Sequence, residues 1–468
     1  MKKKVAVAGA TSYIGRWFID RFKSNYEILA LSRREIKNDS AQIQWRQTDL
    51  YSYTSTLEAL KDADYAVYLV HSRQPSARLN QTKFDDTDLL LADNFARAAE
   101  KNKVKHIVFV GGLLPDQPEV FNKHLRNRKE VEMTLGSRSV PLTSIRAGLL
   151  IGPGSLSLLT MQRLITRLPV LACPAWCNTP THPVGIEDVV DVIGYCLGKT
   201  DLYHQAFEIG QREPISYLEM LKITAAKLKK KRWIFSLPFS LQGLSKFWMA
   251  IFAGSSRLLV APVVDSLRHD LKVKPNRLLD QFPRLRPFTD VIETAFNAHQ
   301  PIPETPDYQS PSTKKANNVR SVQRLPNPGN HTATWVANRY QTWLPRFFRV
   351  FLKVISEGDY ATFQLLGFKL LKLQLIRDRS DHSRQLFYVI DGILVRRKDF
   401  GWLEFRKVLG GKYVISALHE FVPALPWYLY VNTQALAHLW IMKRFGAYLG
   451  KLRMSKGVTA FDEKDSGL

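Results

Sequence analysis

Val5-Ala6-Val7-Ala8-Gly9-Ala10-Thr11-Ser12-Tyr13-Ile14-Gly15 is the stretch that decides the fold. Its small and β-branched apolar residues read as a buried strand that stops at Gly9. Helical spacing follows at once, over residues 13–23. Gly9 permits a tight turn, and Gly15 lets the helix pack close to the strand. The first N–H groups of a helix have no partner within it, so they can hold a pyrophosphate. The expected cradle is Gly9, Ala10, Thr11, Ser12, Tyr13, Ile14 and Gly15. Ser12 stands where such loops commonly carry a glycine. Its β-carbon narrows the approach of a phosphate, and its hydroxyl can donate a compensating bond.

Outward from this loop, strand signals at 26–32, 43–48, 65–70 and 106–110 alternate with helical ones at 55–61 and 84–101. A further helix near 124–135 and a strand at 142–145 extend the series. This alternation predicts an α/β fold, a Rossmann-type doubly wound parallel sheet with helices on both faces. Residues 155–230 look mixed and are expected to be inserted over the carboxyl edge of the sheet, with a strand entering an acid-capped helix at 184–190. The second strand ends Leu31-Ser32-Arg33-Arg34. Sites for NAD usually carry an acid here, whereas two guanidiniums favour the 2′-phosphate of NADP, with NAD the alternative. Asp49 and Leu50 are placed beside the adenine. Leu69, Val70, His71, Val110 and Gly111 are placed on the nicotinamide side.

The chain has 468 residues, 67 Lys+Arg and 42 Asp+Glu, for a net charge of +25. Two or three domains are expected, and a hydrophobic content of 45% excludes overall disorder. Three cysteines, Cys173, Cys177 and Cys196, exclude a disulfide scaffold and show no zinc spacing. The apolar stretch after Lys2-Lys3-Lys4 is too short for a secretory leader, so a reducing, cytoplasmic compartment is expected. Residues 421–442 carry no Asp, Glu, Lys or Arg, but Pro423, Pro426, Asn432, Gln434 and His438 favour a packed segment over a spanning helix. No nucleic-acid-binding signature is present, and no nucleic-acid partner is expected. The basic run 227–232, followed by Trp233, Phe235, Phe239, Phe247, Trp248 and Phe252, suits either an anionic membrane surface or a solvated helix end ahead of core helices.

Residues 301–330 read by composition as a linker between a domain at 1–300 and a smaller α+β domain at 331–468. Strand-like runs at 385–390 and 402–408 and a helix at 433–452 suggest strands curling round one long helix, a helix-grip arrangement. It would enclose an apolar cavity for a lipid, isoprenoid or quinone, or else pack solid. Trp335, Tyr340, Trp343, Phe347, Phe348 and Phe351, interleaved with arginines, also suit a membrane surface.

The ordered motifs make a resemblance. They are the Gly9–Gly15 loop, Thr48-Asp49-Leu50, Tyr68-Leu69-Val70-His71-Ser72, Val110-Gly111-Gly112-Leu113, the His124–Glu132 segment, Arg146-Ala147-Gly148-Leu149-Leu150-Ile151-Gly152-Pro153-Gly154-Ser155, Pro183-Val184-Gly185-Ile186-Glu187-Asp188-Val189 and Phe207-Glu208-Ile209-Gly210. Over about residues 1–300 the chain resembles the atypical short-chain dehydrogenase/reductases, in the branch of NmrA-like proteins and the complex I accessory Rossmann subunit. The C-terminal region resembles an uncharacterised domain of bacterial members. The resemblance implies NAD(P) binding and hydride transfer through a Tyr-x-x-x-Lys pair. At the matching position stand His124 and Arg128. Tyr195-Cys196-Leu197-Gly198-Lys199 comes too late in the chain, and Gly111-Gly112 replaces the usual serine. His124 is therefore the expected acid and Arg128 an anion clamp or ribose partner. The expected function is an NAD(P)H-dependent oxidoreductase acting on a hydrophobic carbonyl or quinone-like small molecule, in the cytoplasm or peripheral to the inner membrane. The alternatives are a non-catalytic NADP-binding assembly or redox-sensing protein and a membrane-lipid binding module.

Overall fold

Strand β1 (Lys4–Ala8) runs into α1 (Tyr13–Phe22), and β2 (Glu27–Ser32), β3 (Ile43–Gln47), α2 (Tyr53–Ala59) and β4 (Tyr65–Tyr68) follow in order. The computed structural model describes residues 2–36, 40–71, 79–117, 122–237, 271–282, 285–296, 302–304, 318–349, 351–398 and 401–452. The chain divides into two units: Met1–Arg73 with Leu91–Ser310, and Gln74–Leu90 with Pro311–Leu468. Short strand β5 (Leu79–Thr82) falls in the second unit, and the division lies within α3 (Phe84–Lys101).

The first unit continues through β6 (His106–Gly112), α4 (Lys123–Leu135), β7 (Leu142–Ala147), β8 (Leu150–Ile151), α5 (Leu156–Arg167), β9 (Val170–Cys173), β10 (Pro180–Thr181), β11 (Val184–Gly185), α6 (Ile186–Cys196) and β12 (Gln205–Ile209). Then come β13 (Ile215–Ser216), α7 (Tyr217–Lys227), β14 (Trp233–Ser236), α8 (Arg277–Gln281) and α9 (Phe288–Phe296). Seven parallel strands form one sheet in the order β12-β7-β6-β4-β1-β2-β3. The chain leaves β1 towards β3, then returns to the other side of β1 at β4, so a crevice opens between these two strands at the carboxyl edge. Val5, Val7, Ile28, Val67 and Val108 bury one face against Phe18 of α1 and Val189 and Ile193 of α6. Helices α1 and α6 approach closely because Gly194 has no β-carbon, which would stand 2.0 Å from the Phe22 ring. A second cluster joins α5, α7 and α9 around Met161, Leu164, Met220 and Phe288. Residues 155–230 are thus not all an insertion: β12 completes the parallel sheet, and its early polar residue Gln205 had masked it.

In the second unit β15 (Val319–Pro326) precedes α10 (Ala333–Phe348). Six antiparallel strands follow, β16 (Leu352–Glu357), β17 (Tyr360–Leu365), β18 (Phe368–Leu375), β19 (Arg384–Asp391), β20 (Trp402–Val408) and β21 (Tyr413–Phe421). The chain ends in α11 (Trp427–Asn432) and α12 (Gln434–Lys451). The sheet order is β16-β17-β18-β19-β20-β21-β15-β5, so the first strand returns beside the last and β5 adds parallel to it. Long helix α12 packs on this sheet through Met442, Phe445 and Leu449. Rings of Tyr340, Trp343, Phe405 and Phe445 meet at 5.1–5.6 Å and fill the space beneath it. A pocket of about 220 Å³ opens between α10 and α12, lined by Arg339, Thr342, Trp343, Arg346, Phe347 and Tyr448.

Two expectations change here, and a third, that residues 421–442 do not form a spanning helix, does not. The linker at 301–330 holds β15, whose Val319, Val322 and Leu325 are buried; its arginines and Pro326 had disguised it as a spacer. Tyr340, Trp343 and Leu344 of the Arg-aromatic segment lie in the core rather than on a surface, because they recur on one face of α10. The uncharged run 421–442 ends β21 and crosses α11 into α12, and no helix among the described residues is long and apolar enough to cross a membrane. Of the aromatics after the basic run 227–232, Trp233 and Phe235 are exposed on β14, and those at 239–252 lie outside the described residues.

Candidate functional site

The site is built at the carboxyl edge of the parallel sheet. Gly9 sits at φ +89°, a conformation that glycine adopts without strain. A β-carbon on it would lie 3.1 Å from the backbone of Leu69, so the ends of β1 and β4 close tightly on each other there. The turn is fixed by the Ser12 amide donating to the Gly9 carbonyl at 2.9 Å. Ser12 caps α1, its Oγ accepting from the Gly15 amide at 3.1 Å. The serine thus folds back on the helix, and the Tyr13 and Ile14 amides of the first turn stay directed out of its end. Tyr13 donates its hydroxyl to the Pro153 carbonyl at 2.9 Å, and burial pushes its pKa up. The phenol therefore remains a neutral strut between the loop and residues 152–154.

After β2, Arg33 is exposed and Arg34 half-buried, and the Ser32 Oγ accepts from the Arg34 amide at 3.1 Å. After β3, the Asp49 carboxylate accepts from the Tyr51 amide at 3.1 Å and shapes the turn. Buried Asn94 of α3 donates to the carbonyls of Leu50 and Tyr51 at 2.7 and 3.0 Å, which holds this loop from behind. After β4 come Leu69 and Val70, half-buried, and His71, exposed. After Val110, buried in β6, a β-carbon on Gly112 would meet nothing within 4 Å, while one on Gly111 would touch the Phe109 ring at 3.0 Å. The space above the end of β6 is open. Every residue expected to hold a dinucleotide therefore lies at one edge, on successive strand ends around the β1/β4 crevice. A left-handed glycine turn, a helix amino end and an open strand end fit such a ligand.

His124 stands in the first turn of α4, capped by Asn122, whose side chain accepts from the Leu125 amide at 2.8 Å. Its ring lies 5.4 Å from that of His71, so two imidazoles from separate elements meet. Arg128, one turn further on, is buried, its guanidinium 6.0 Å from the centre of the Phe109 ring. Tyr195 and Lys199 do contact each other, at 5.1 Å from ammonium to ring. They do so at the opposite edge, because neighbouring Gly198 donates its amide to His106, the first residue of β6.

Sequence reasoning missed a buried ionic group behind α4. Arg146 of β7 grips Glu132 with two bonds of 3.0 and 2.8 Å, and Lys129 adds a third at 2.7 Å. Although burial opposes ionisation, these cations hold the Glu132 carboxyl below its usual range. The pair fixes α4, and with it His124, on the sheet. Both residues stood in quoted motifs, yet a helix residue and a strand residue 14 positions apart give no pairing signal. Buried His182 was also missed; its Nδ1 lies 2.8 Å from the Gln211 carbonyl.

Residues 9–154 match the family model described as NAD(P)H-binding. The first unit carries an NAD(P)H-binding domain. The resemblance to atypical short-chain dehydrogenase/reductases that the motifs carry accords with this domain and with the fold of the two solved structures below. The chain is 34% identical over 114 residues, 24% of its length, to the auxiliary protein GraX of Staphylococcus aureus. It spans only 37% of that relative. A nucleoside-diphosphate-sugar epimerase structure from the same organism is 16% identical with a TM-score of 0.50, over 63% of this chain and all of the other. The triphenylmethane reductase of Citrobacter sp., complexed with NADP(H), is 15% identical with a TM-score of 0.50, over 62% and 99%. The NAD(P)H-binding domain shares its fold with both.

Proposed function

We propose that the protein is an NADPH-dependent oxidoreductase acting on a hydrophobic carbonyl or quinone-like small molecule. The observation that carries this reading is the meeting of His71 and His124 at the strand edge that bears the Gly9–Gly15 turn. The amides of the α1 amino end would hold the pyrophosphate, Arg33 and Arg34 the 2′-phosphate, and Asp49 and Leu50 the adenine end. The bound dinucleotide supplies the hydride. The chain's own task is to bring a proton to the acceptor oxygen. An imidazole titrates near neutrality and suits that task in place of tyrosine. Asn122 and the Glu132–Arg146 pair keep His124 at the first turn of α4. Leu69, Val70, Leu113 and Leu114 make the strand ends apolar, which suits a hydrophobic acceptor.

The direct test is NADPH oxidation by the full chain with quinones, enones and aldehydes. His124→Gln is expected to lower kcat by about a hundredfold with unchanged NADPH affinity, the usual scale of a lost general acid. A second reading is a non-catalytic nucleotide-binding protein with an auxiliary role. It is favoured by His124 and Arg128 standing where the tyrosine and lysine are usual, and by the likeness to the auxiliary protein GraX. Tight NADPH binding without turnover of any of these acceptors would select it.

A further inference from the structure

At one end of the second unit's sheet, several large apolar side chains stand in water. Phe351 (57% exposed) leads into β16, and its carbonyl accepts from the Leu366 amide at 3.0 Å. Leu366 (69%) and Phe368 (68%) bracket Gly367 at the tip of the β17–β18 hairpin. Ile393 (58%) follows alongside, its amide bonded to the Lys369 carbonyl at 3.1 Å. The segment after β21, which carries Leu425 (37%), is tied in by the Ala424 amide, which donates to the Leu394 carbonyl at 3.0 Å. Tyr428 (78%) then stands in the first turn of α11. Isolated exposed apolar residues are ordinary, but several gathered at one sheet end on segments bonded to one another mark a contact surface.

The hairpin tip adds an independent sign. Leu366 has φ +50° and Gly367 φ +85°, so both central residues of this two-residue turn are left-handed. Such turns select Asn or Asp at the first position and Gly at the second. A leucine there is strained and exposed at once, a combination that folding alone does not favour.

The surroundings of these side chains say what covers them. Arg349, Lys353, Lys369, Arg396, Arg397 and Lys398 lie on the segments that carry these residues, and the acids Asp391 and Glu420 at this end are each bridged by cations, Asp391 by Lys369 and Lys398 and Glu420 by Arg320. Apolar tips on segments that carry cations, with a tyrosine among them, match a bilayer whose headgroups are anionic. We propose that this end of the second unit docks on an anionic membrane surface, with Leu366 and Phe368 entering the headgroup boundary and the arginines and lysines meeting lipid phosphates. The proposal is independent of the redox reading, because none of its residues belongs to the nucleotide edge.

The test is co-sedimentation of the full chain with vesicles of phosphatidylcholine alone or mixed with phosphatidylglycerol. Binding is expected with the mixed vesicles and weakens with salt. The double variant Leu366→Asn/Phe368→Thr is expected to lower the partition at least about tenfold. Asn favours the left-handed tip and Thr suits a strand, so this variant should keep the fold, and an unchanged NADPH affinity and melting curve check that. Arg396→Glu/Arg397→Glu is expected to remove the salt-sensitive part. Equal sedimentation of wild type and the Leu366/Phe368 variant, or no binding to the mixed vesicles, would overturn the proposal. So would a wild-type dimer that this variant turns into a monomer, since a second copy would then cover these side chains.

Discussion

Gly15 and Ser12 show how single residues set the nucleotide loop. A β-carbon on Gly15 would stand 2.3 Å from the Gly9 carbonyl oxygen and 2.8 Å from that of Ala10. Gly15→Ala must therefore push α1 off β1. It is expected to cost about 1–3 kcal/mol, typical of an overpacked site, and to weaken NADPH binding at least tenfold, read by a melting curve and by fluorescence titration. The Ser12 hydroxyl, expected to offer a phosphate a compensating bond, is turned to the Gly15 amide as a helix cap. At the second strand end, Arg33→Asp/Arg34→Ala is expected to reduce the preference for NADPH over NADH by about tenfold to a hundredfold, the worth of charged hydrogen bonds to one phosphate. A variant that keeps the wild-type ratio of dissociation constants would show that the 2′-phosphate is held elsewhere.

Among elements, β6 and β7 carry a titration written into their pairing. Buried His106 opens β6; its Nδ1 accepts from the Gly198 amide at 3.2 Å, so its Nε2 donates to the Thr143 hydroxyl of β7 at 2.9 Å. That hydroxyl in turn donates to the Leu202 carbonyl at 2.8 Å. The ring is thus neutral in the folded protein, and burial lowers its pKa to about 4 from an ordinary 6.5. Between these values the unfolded chain binds the extra proton, so stability rises with pH through the window. The contribution is complete above pH 6.5 and is lost as pH falls towards 4; it amounts to at most about 3 kcal/mol. Urea unfolding of wild type against His106→Gln at several pH values in that window reads it. The variant is expected to be weaker at neutral pH and flatter in its dependence.

The whole molecule consists of two units that are not two consecutive segments. The second takes β5 from residues 74–90 and β15 from the stretch that composition marks as a linker. A fragment of residues 331–468 lacks both strands and leaves β21 without the neighbour that pairs with it from Tyr413 to Phe421. Losing buried Val319, Val322 and Leu325 alone removes roughly 5 kcal/mol of apolar burial. The fragment is expected to be unfolded or aggregated by circular dichroism and gel filtration. A fragment joining residues 74–90 to 318–468 through a flexible linker is expected to melt cooperatively.

Local pattern was enough for the nucleotide-binding half. The strand-to-helix turn at Gly9, the alternation that follows it and the residues at each strand end were legible, because a parallel sheet buries continuous apolar runs and puts its ligand where those runs stop. The approach of His71 to His124 was legible only as a shared neighbourhood, since a ring distance depends on how α4 seats on the sheet. What tertiary structure alone decided was pairing across long separations. The grip of Arg146 on Glu132, the strand hidden at Val319–Pro326 and the gathering of Phe351, Leu366, Phe368 and Ile393 at one sheet end each join residues that carry no mark of one another. Hydrogen bonds and burial act between neighbours in space, and a sequence records neighbours only along the chain.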